Sequence, residues 1–381
     1  MIQRLIRKSV IDTLFKKKIV IIYGPRQSGK TTLVKDILSE FEENTNEKKV
    51  KYYSCDDKSV RDALVYEDYV SLQRSIGNYD LVVLDEAQRV VNIGLKLKLL
   101  IDNNPDMQII ATGSASFDLA NKIKEPLTGR YYEFELLPLS TLEIIGLNAG
   151  NIEAGAELSR SIIYGNYPDI YNRSHDESVI LLNNLSSSYL YKDILELENI
   201  RKSEALEKIV RMLALQVSNE VNLSEIAQNV GINVRTVDSY INLLEKAYVI
   251  FKLKAYNKNP RTEISKNFKI YFYDIGIRNS IIGNFNNLEN RNDVGALFEN
   301  WCILERLKSL YNKAEYIPNI YFWRSYTQKE IDYIEESNTK LSAYEFKYNT
   351  SRIPRYESLL KNLNIESIKI INKENILDLI K

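Results

Sequence analysis

The fold is decided by residues 18–32, which read KIVIIYGPRQSGKTT. A short apolar run ends at Gly24, and sequence with helical periodicity follows from Thr31. Between them, residues 24–31 fit the pattern G-x-x-x-x-G-K-[ST] in the strand–loop–helix context that a phosphate-binding loop requires. Such a loop turns successive backbone N–H groups inward at the start of a helix and so binds an anion. The sequence predicts a nucleotide site formed by Gly24, Pro25, Arg26, Gln27, Ser28, Gly29, Lys30, Thr31 and Thr32.

The side chains of this loop and of a second motif supply groups for hydrolysis. Lys30 can reach the β and γ phosphates of ATP, and the Thr31 hydroxyl can hold Mg²⁺. Residues 81–86, LVVLDE, form an apolar strand that ends in two carboxylates. Asp85 lies where it can accept a water ligand of Mg²⁺, and Glu86 where it can polarise the attacking water. We therefore predict an enzyme that hydrolyses ATP with Mg²⁺, rather than a protein that only binds a nucleotide.

Two further residues could respond to the γ phosphate. Ser114 follows the apolar run at 107–112, and its hydroxyl either senses that phosphate or belongs to a turn. Arg130 ends the stretch Leu127-Thr128-Gly129-Arg130 and could neutralise charge in the transition state. An ordinary exposed arginine fits the spacing nearly as well.

The order of apolar runs indicates the fold class. Runs at 50–55, 80–85 and 107–112 alternate with helical stretches, and the run at 131–136 alternates like an edge strand. This order is typical of a mostly parallel sheet covered by helices on both faces, as in a P-loop NTPase. From about residue 140 helical spacing takes over. We predict an α/β protein with an ATPase domain (1–140), a helical lid (141–220), a winged helix-turn-helix (221–258) and a second α/β domain at the carboxyl terminus (265–381).

Residues 222–254 have the pattern of a winged helix-turn-helix. Ser224 suits the N-cap of a first helix, Gly231 allows a turn, and Asn233 can cap a second helix that runs through Lys246. Two short β-type pieces follow as a wing. A packing module or lid is an equal alternative to a DNA reader, because Asp238 and Glu245 leave the exposed face nearly neutral. The residues that could contact bases or phosphates are Arg235, Thr236, Ser239, Asn242, Lys246, Lys252 and Lys254.

The carboxyl-terminal part carries a second group of polar residues in an apolar context. From residue 269 the sequence predicts a strand and a helix over 294–311. It then predicts strands at 320–324, 330–335 and 341–348, a helix at 354–363 and a strand at 367–372. Glu299 lies in the first helix and Asp332 in the second of the three strands, while Glu345 and Lys347 share one face of the third. An aromatic-rich strand has no packing reason to carry an acid and a base on one face.

These residue types fit metal-assisted attack on phosphorus. Asp332 and Glu345 could bind Mg²⁺ with the Phe346 carbonyl and Glu299, and Lys347 could orient or deprotonate the attacking water. The structural alternative is an ion pair in a fold that binds without cutting. Nearby aromatic residues could stack on bases, although a role in the core fits them better: Trp301, Tyr321, Trp323 and Tyr326.

The motifs GPRQSGKTTL, LVVLDEAQRV, ATGSAS and LTGRYYEFELLPLS together resemble the ATPase module of a widespread prokaryotic AAA-type family. The stretches YGNYPDIY and YLYKDI are also similar to that family, so the resemblance runs over nearly the whole chain. It implies a winged helix after the ATPase and a restriction-endonuclease-like PD-(D/E)xK domain at the carboxyl terminus. It also implies that Ser114 is the polar sensor and Arg130 the arginine of the "GR" signature. That arginine would act within a subunit or across the interface of a homo-oligomer.

The composition excludes several classes of protein. Lys plus Arg and Asp plus Glu each number 51, so the net charge is zero and a polycation that binds nucleic acid by bulk charge is excluded. No apolar run approaches the ~18 residues of a membrane span, and the first residues lack a secretory apolar core. We therefore predict a cytoplasmic protein with no membrane partner. One histidine and two cysteines exclude a His-rich metal cage and a disulfide framework.

The sequence thus predicts an ATPase that acts on or with DNA. Two alternatives from other classes stay open. One is a nucleotide-dependent switch or scaffold whose carboxyl-terminal domain binds DNA or protein without cutting. The other is a remodelling ATPase that acts on protein.

Overall fold

A computed structural model describes residues 2–44, 48–113, 126–188, 203–257, 268–314, 317–325, 329–338, 340–349, 365 and 367–381. The chain forms two compact units. The first is Met1–Pro138 with Tyr311–Ala314, and the second is Leu139–Leu310 with Glu315–Lys381. Within the described ranges, no helix combines the length and the apolar character needed to cross a membrane.

The first unit contains the strands β1 (Ile19–Tyr23), β2 (Val50–Ser54), β3 (Leu81–Asp85), β4 (Gln108–Gly113) and β5 (Tyr131–Glu135). They form one parallel sheet in the order β2-β3-β4-β1-β5. The parallel sheet is confirmed, and β5 lies at its edge as the alternating sequence predicts. Because parallel strands all end on one side, the carboxyl ends of β1, β3 and β4 lie side by side.

Both faces of this sheet are buried, since successive side chains of a strand point to opposite faces. On one face, Val20, Ile22 and Val83 pack against α1 (Arg7–Asp12) and α2 (Lys30–Asn44). On the other, Ile21, Leu84 and Ile109 share a core with the segments that hold α3 (Lys58–Ala63), α4 (Tyr69–Ile76) and α5 (Ile93–Asn103). Helices therefore cover both faces, as the continuous apolar strands indicate.

The amino-terminal part of the second unit is helical. It contains α6 (Thr141–Ile145), α7 (Asn151–Tyr164), α8 (His175–Ser188) and α9 (Ser203–Leu215). The Ser140 side chain accepts from the Glu143 N–H, and the Glu143 carboxylate accepts from the Ser140 N–H, which is the capping box that starts α6.

A helix-turn-helix follows, with α10 (Leu223–Val230) and α11 (Val234–Lys246). The N-cap of α10 is Asn222 and not Ser224, because the Asn222 side chain accepts from the N–H groups of Ser224 and Glu225. Gly231 adopts the left-handed conformation with φ 76°, and Asn233 caps α11 by accepting from the Thr236 N–H at 2.8 Å. The turn chemistry predicted from Gly231 and Asn233 is confirmed.

The remaining strands form one mixed sheet in the second unit. They are β6 (Ile250–Ala255), β7 (Phe268–Phe272), β8 (Asn319–Arg324), β9 (Glu330–Ser337), β10 (Lys340–Phe346) and β11 (Ile368–Ile371), in the order β11-β10-β9-β8-β6-β7. The two predicted wing pieces are a single strand, β6, which pairs antiparallel with β7 and parallel with β8. The strand assigned to the wing thus belongs to the same sheet as the carboxyl-terminal strands. The domain boundary near residue 258 stays a prediction.

Three helices of the described residues accompany this sheet: α12 (Ile275–Ile282), α13 (Val294–Lys313) and α14 (Leu377–Ile380). The sequence did not predict α12. Its buried residues include Arg278 and Asn279 beside Ile275 and Ile277, so its polar and apolar residues do not separate into two faces. The helix predicted over 354–363 lies outside the described residues.

Candidate functional site

Gly24 joins β1 to the phosphate-binding loop under a steric constraint that excludes other residues. Its φ is +153°, and a Cβ there would lie 2.1 Å from the carbonyl oxygen of Leu136. Gly29 and Gln27 also have positive φ, 98° and 57°. The loop leads directly into the amino terminus of α2, where the first N–H groups of the helix and the helix dipole favour an anion.

Arg4 supports this loop from outside the motif. Its Nη1 donates to the Ser28 carbonyl and its Nη2 to the Leu137 carbonyl, both at 2.6 Å. Sequence reasoning missed this residue, because its partners lie 24 and 133 positions away.

Lys30 lies within the loop and is only 4% exposed. Its ammonium donates to the carbonyl oxygens of Gly24 at 3.0 Å and Pro25 at 2.7 Å. Of the other predicted nucleotide-binding residues, Ser28 and Pro25 are buried, while Arg26 and Thr31 are half-buried. Gln27 and Thr32 are exposed. The structure therefore brings the lysine and the loop backbone together as the motif predicts.

Asp85 ends β3 as a buried carboxylate that accepts three side-chain hydrogen bonds. Thr31 Oγ1 and the Tyr52 hydroxyl each donate to Oδ2 at 2.7 Å, and Thr112 Oγ1 donates to Oδ1. Burial, followed by the bond to Asp85, raises the pKa of Tyr52, so this hydroxyl remains a neutral donor. The carboxylate is thereby fixed beside the first turn of α2. Tyr52 and Thr112 were not predicted as partners.

Glu86 directly follows β3 in a left-handed conformation, with φ 53° and ψ 44°. A residue other than glycine in this region stores about 1–2 kcal/mol of strain, so the surrounding structure must hold it there. Its N–H donates to Thr112 Oγ1 at 3.1 Å, and its Oε2 accepts from Gln88 Nε2 at 2.5 Å. The two carboxylates therefore differ in environment, with Asp85 enclosed and Glu86 half-buried.

Of the two remaining predicted ATPase residues, Ser114 and Arg130, the structure describes Arg130. Ser114 lies outside the described residues. Arg130 immediately precedes β5, and its Nε donates to Asp102 Oδ1 at 2.6 Å with both side chains 39% exposed. Its Nη1 also donates to the Thr128 carbonyl at 3.2 Å.

In the second unit, the predicted acid–base group is brought together at the middle of the mixed sheet. Lys347 Nζ lies 2.8 Å from Glu345 Oε1 and 3.7 Å from Asp332 Oδ2. The Phe346 N–H donates to Asp332 Oδ2 at 2.8 Å. Burial raises the pKa of Asp332, while Lys347 acts in the opposite direction. Both carboxylates are buried, whereas Lys347 is about a third exposed and connects them to solvent.

Glu299 of α13 lies next to this group, with partners that the sequence did not indicate. Its Oε1 accepts from Lys269 Nζ at 2.9 Å and from the Tyr271 hydroxyl at 2.5 Å, and Lys269 also contacts Glu330 Oε1. One oxygen from each of Glu299, Glu330 and Asp332 lies within 4.8 Å of the others, a spacing that could hold a metal ion. Burial, and then the nearby Asp332, raise the pKa of Glu299 to about 7.

The aromatic residues near this group mostly belong to the core. Trp301 is 1% exposed and its ring stacks on Phe298 with centroids 6.2 Å apart, and Tyr321 is 8% exposed. Trp323 packs at the edge of a buried cluster, and Tyr326 lies outside the described residues. For Trp301 and Tyr321 the core interpretation is favoured over base stacking.

Arg235 and Ser239 of α11 and Lys254 of β6 are exposed. Two other predicted contact residues, Lys252 and Asn242, form hydrogen bonds within the protein. Lys252 donates to Asn242 Oδ1, and Asn242 donates to Asp238 at 3.3 Å. Lys252 also pairs with Glu245 at 3.5 Å. A groove of about 670 Å³ runs beside Arg235, between the start of α10, the start of α11 and Phe268.

Three family models match parts of the chain. Residues 16–145 match the model described as an AAA domain. Residues 155–288 and 294–377 match two domains of unknown function, DUF8612 and DUF4143. The first match covers the phosphate-binding loop and the Thr31–Asp85 pair, so this part of the first unit is similar to an AAA-type P-loop domain.

Two relatives are similar to this chain over most of its length. The Mycobacterium tuberculosis protein Rv2008c is 26% identical over 365 residues, covering 94% of this chain and 77% of that protein. Protein MJ1544 of Methanocaldococcus jannaschii is 24% identical over 391 residues, covering 96% and 84%. Among solved structures, AMPPCP-bound DnaA from Aquifex aeolicus covers 63% of this chain and 86% of its own at 18% identity, with a TM-score of 0.28.

Proposed function

We propose that this protein binds ATP and hydrolyses it at the carboxyl edge of its parallel sheet. The observation that carries the proposal is the 2.7 Å hydrogen bond from Thr31 Oγ1 to Asp85 Oδ2. It joins the first turn after the phosphate-binding loop to the acidic end of β3. The AAA domain match over residues 16–145 supports the same reading.

The ligand types at this edge fit Mg²⁺. Thr31 and Asp85 offer a hydroxyl and a carboxylate oxygen, which are hard oxygen ligands of the kind that P-loop sites use for Mg²⁺. When bound, the ion would neutralise negative charge on the β and γ phosphates. Lys30 would exchange its carbonyl acceptors on Gly24 and Pro25 for phosphate oxygens, which are stronger acceptors because they are charged.

Glu86 would act on the water. Its half-buried carboxylate, held after β3 by the left-handed turn, would orient the attacking water and accept hydrogen bonds from it. Arg130 would stabilise charge on the γ phosphate, within the subunit or across a homo-oligomer interface, after leaving Asp102. Because that ion pair is exposed, breaking it costs about 0–1 kcal/mol. Ser114 remains the proposed polar sensor.

The test is nucleotide binding and hydrolysis in Lys30→Ala, with Lys58→Ala as the matched control. Lys58 is an exposed lysine of α3 in the same unit. We expect Lys30→Ala to reduce hydrolysis about 100-fold or more, since it removes a buried cation from the phosphate site. The control should behave as wild type. Equal hydrolysis by Lys30→Ala and wild type would overturn the proposal.

A second function is proposed for the mixed sheet, namely metal-dependent cleavage of phosphodiesters. The specific observation that favours it is Lys347 Nζ, which lies within 3.7 Å of both Asp332 and Glu345. The donor set fits Mg²⁺, because Asp332, Glu345 and Glu299 offer carboxylate oxygens. When bound, the ion would stabilise charge on the phosphate. Lys347 would orient the attacking water or take up its proton.

DNA is the substrate class that we propose for this site, reached with help from the helix-turn-helix. The exposed Arg235 and Lys254 would contact phosphates. The nucleotide cycle would control these contacts. The two rival functions are a switch or scaffold that binds without cutting and an ATPase that remodels protein.

The test is cleavage of plasmid, linear and branched DNA with Mg²⁺ or Mn²⁺, with and without ATP. Wild type is compared with Lys347→Ala and with Lys340→Ala, a control at an exposed lysine of β10, the strand that Lys347 directly follows. We expect cutting by wild type and control, and none by Lys347→Ala. If a wild type that hydrolyses ATP cuts none of these substrates, the switch reading replaces the nuclease. Stimulation of the ATPase by protein but not by DNA would favour remodelling.

A further inference from the structure

Lys269 is a buried cation inside the carboxylate group of the mixed sheet. It lies on β7 and is 2% exposed, so its ammonium has no access to bulk water. The ammonium lies 2.9 Å from Glu299 Oε1 and contacts Glu330 Oε1 directly. The same Nζ lies over the Phe322 ring, 5.4 Å from the ring centroid. Burying an ammonium costs several kcal/mol unless carboxylates compensate its charge, so this lysine and the neighbouring acids form one charge cluster.

The net charge of this cluster can be balanced by one divalent ion. When all four carboxylates (Glu299, Glu330, Asp332 and Glu345) are ionised, as metal ligands are, they face two ammonium groups (Lys269 and Lys347), and four minus two leaves a net charge of minus two. Arg324 also approaches Glu330 at 3.3 Å, but it is shared with Glu220 at 2.9 Å, and these two charges cancel. One Mg²⁺ would neutralise the remainder, whereas two would leave an uncompensated positive charge.

The position of Lys269 matters as much as its charge. Oxygens of Glu299, Glu330 and Asp332 lie within 4.8 Å of one another, which is the arrangement that could hold an ion. The ammonium contacts two of these three residues. In two-metal sites the ions lie about 3.5–4 Å apart and share carboxylates between them. We propose that the Lys269 ammonium occupies the second cation position, so that the site takes one divalent ion, on Asp332 and Glu345.

The lysine is suited to this role because Glu299, at 2.9 Å, and Glu330, in direct contact, compensate its buried charge. The inference rests on the proposed metal-dependent site and specifies how many ions that site holds.

The test counts Mn²⁺ ions on the full, nucleotide-free chain, by titration and by low-temperature electron paramagnetic resonance. The ions that belong to the site are those lost in Asp332→Asn. We expect one ion in wild type, with the six-line spectrum of isolated Mn²⁺. In Lys269→Met, which keeps the length of the side chain without its charge, we expect two ions with a spin-coupled spectrum. Lys269→Arg keeps the charge and should hold no more than one.

The outcomes separate the two levels of the proposal. Two ions in wild type, or one in Lys269→Met, would overturn the inference and leave the metal site standing. No Asp332-dependent ion in either protein would overturn the metal site and the inference with it. If Lys269→Met is unfolded without metal, the number of Mn²⁺ ions bound by wild type still tests the inference. In that case Mn²⁺ should restore its folding and raise its Tm far more than it raises that of wild type.

Discussion

The hydroxyl of Thr31 donates a 2.7 Å hydrogen bond to Oδ2 of Asp85, across 54 positions of the chain. This bond ties the start of α2 to the end of β3, and two further donors, Tyr52 and Thr112, hold the same carboxylate. The arrangement fixes the two oxygens that we assign to Mg²⁺ before any nucleotide arrives. The free energy of nucleotide binding is therefore not reduced by the cost of ordering these two oxygens.

Thr31→Val should weaken Mg²⁺-dependent hydrolysis. The substitution keeps the shape of the side chain and removes the hydroxyl that would hold the ion, while Asp85 keeps its bonds from Tyr52 and Thr112. We expect hydrolysis to fall at least tenfold, with a higher Mg²⁺ concentration needed for half-maximal rate. Ser39→Ala, which removes an exposed hydroxyl of the same helix, serves as the control. Unchanged Mg²⁺ dependence would show that Thr31 is structural only.

Gly165→Ala should destabilise the second unit far more than Gly146→Ala. Both glycines end helices with positive φ, 68° and 88°, so an alanine at either position costs roughly 1–2 kcal/mol of backbone strain. A Cβ at Gly165 would lie 2.0 Å from Oδ1 of the buried Asp274. The same Cβ at Gly146 meets no heavy atom of the described residues within 4 Å.

Urea unfolding monitored by circular dichroism measures this difference. The expected gap between the two variants is about 2 kcal/mol or more, because the Asp274 carboxylate must move from its buried contacts. Equal midpoints for the two variants would contradict the packing described around Asp274.

Asp293 should make stability depend on pH in the acid range. Burial raises its pKa, but hydrogen bonds from Arg291 and Arg278 outweigh burial and lower the pKa from 3.8 to about 2. A carboxylate with a depressed pKa in the folded state adds stability that is full above the unfolded value. That stability is lost as the pH falls from about 4 towards 2.

Asp293→Asn removes the charge and leaves two buried guanidinium groups uncompensated, which costs about 3–5 kcal/mol at pH 7. The free energy of unfolding is measured at pH 7 and at pH 2.5 for this variant, wild type and Glu289→Gln, an exposed control nearby. The gap between Asp293→Asn and wild type should shrink at pH 2.5. A gap that stays constant with pH would argue against the ion pairs as its source.

Removal of two exposed cations, Arg235 of the helix-turn-helix and Lys254 of β6, should weaken DNA binding. Arg235→Ala and Lys254→Ala each take away one charge that no described acidic group pairs within salt-bridge distance. Each should lower the slope of log affinity against log salt by about one if it loses a phosphate contact. Fluorescence anisotropy with duplex DNA at several salt concentrations measures the slope. Lys208→Ala, at an exposed lysine of α9, provides the control. Slopes identical to wild type would favour a packing role for this module.

The parts of the ATP site that the sequence predicts are those whose chemistry is confined to a short stretch. The loop from Gly24 to Thr31 and the pair Asp85–Glu86 each carry their own strand context, so their positions follow from local pattern. Arg4 and Tyr52 could not be predicted, because each acts on a residue that only the folded sheet brings near. The same holds for Lys269 of β7 and Glu330 of β9, which only the folded sheet brings near Glu299 of α13.

The fold shows the same limit. Alternation of strands and helices predicts the parallel sheet, since that connection is local. The pairing of β6 with β8 joins residues more than 60 positions apart, and no periodicity in β6 indicates which sheet it enters. Likewise α12 buries polar residues that are paired with residues outside the helix, as Arg278 is with Asp293. Its sequence therefore carries no amphipathic signal.

The central claim is that the chain hydrolyses ATP with Glu86 acting on the water, and Glu86→Gln tests it most directly. The substitution keeps the size of the side chain and its amide can still contact Gln88, so nucleotide affinity should stay within about twofold of wild type. Turnover should fall about 100-fold or more, because the carboxylate that orients the water is lost. Glu43→Gln, at an exposed glutamate of α2, should match wild type in both. Wild-type turnover in Glu86→Gln, with ATP bound normally, would contradict the account.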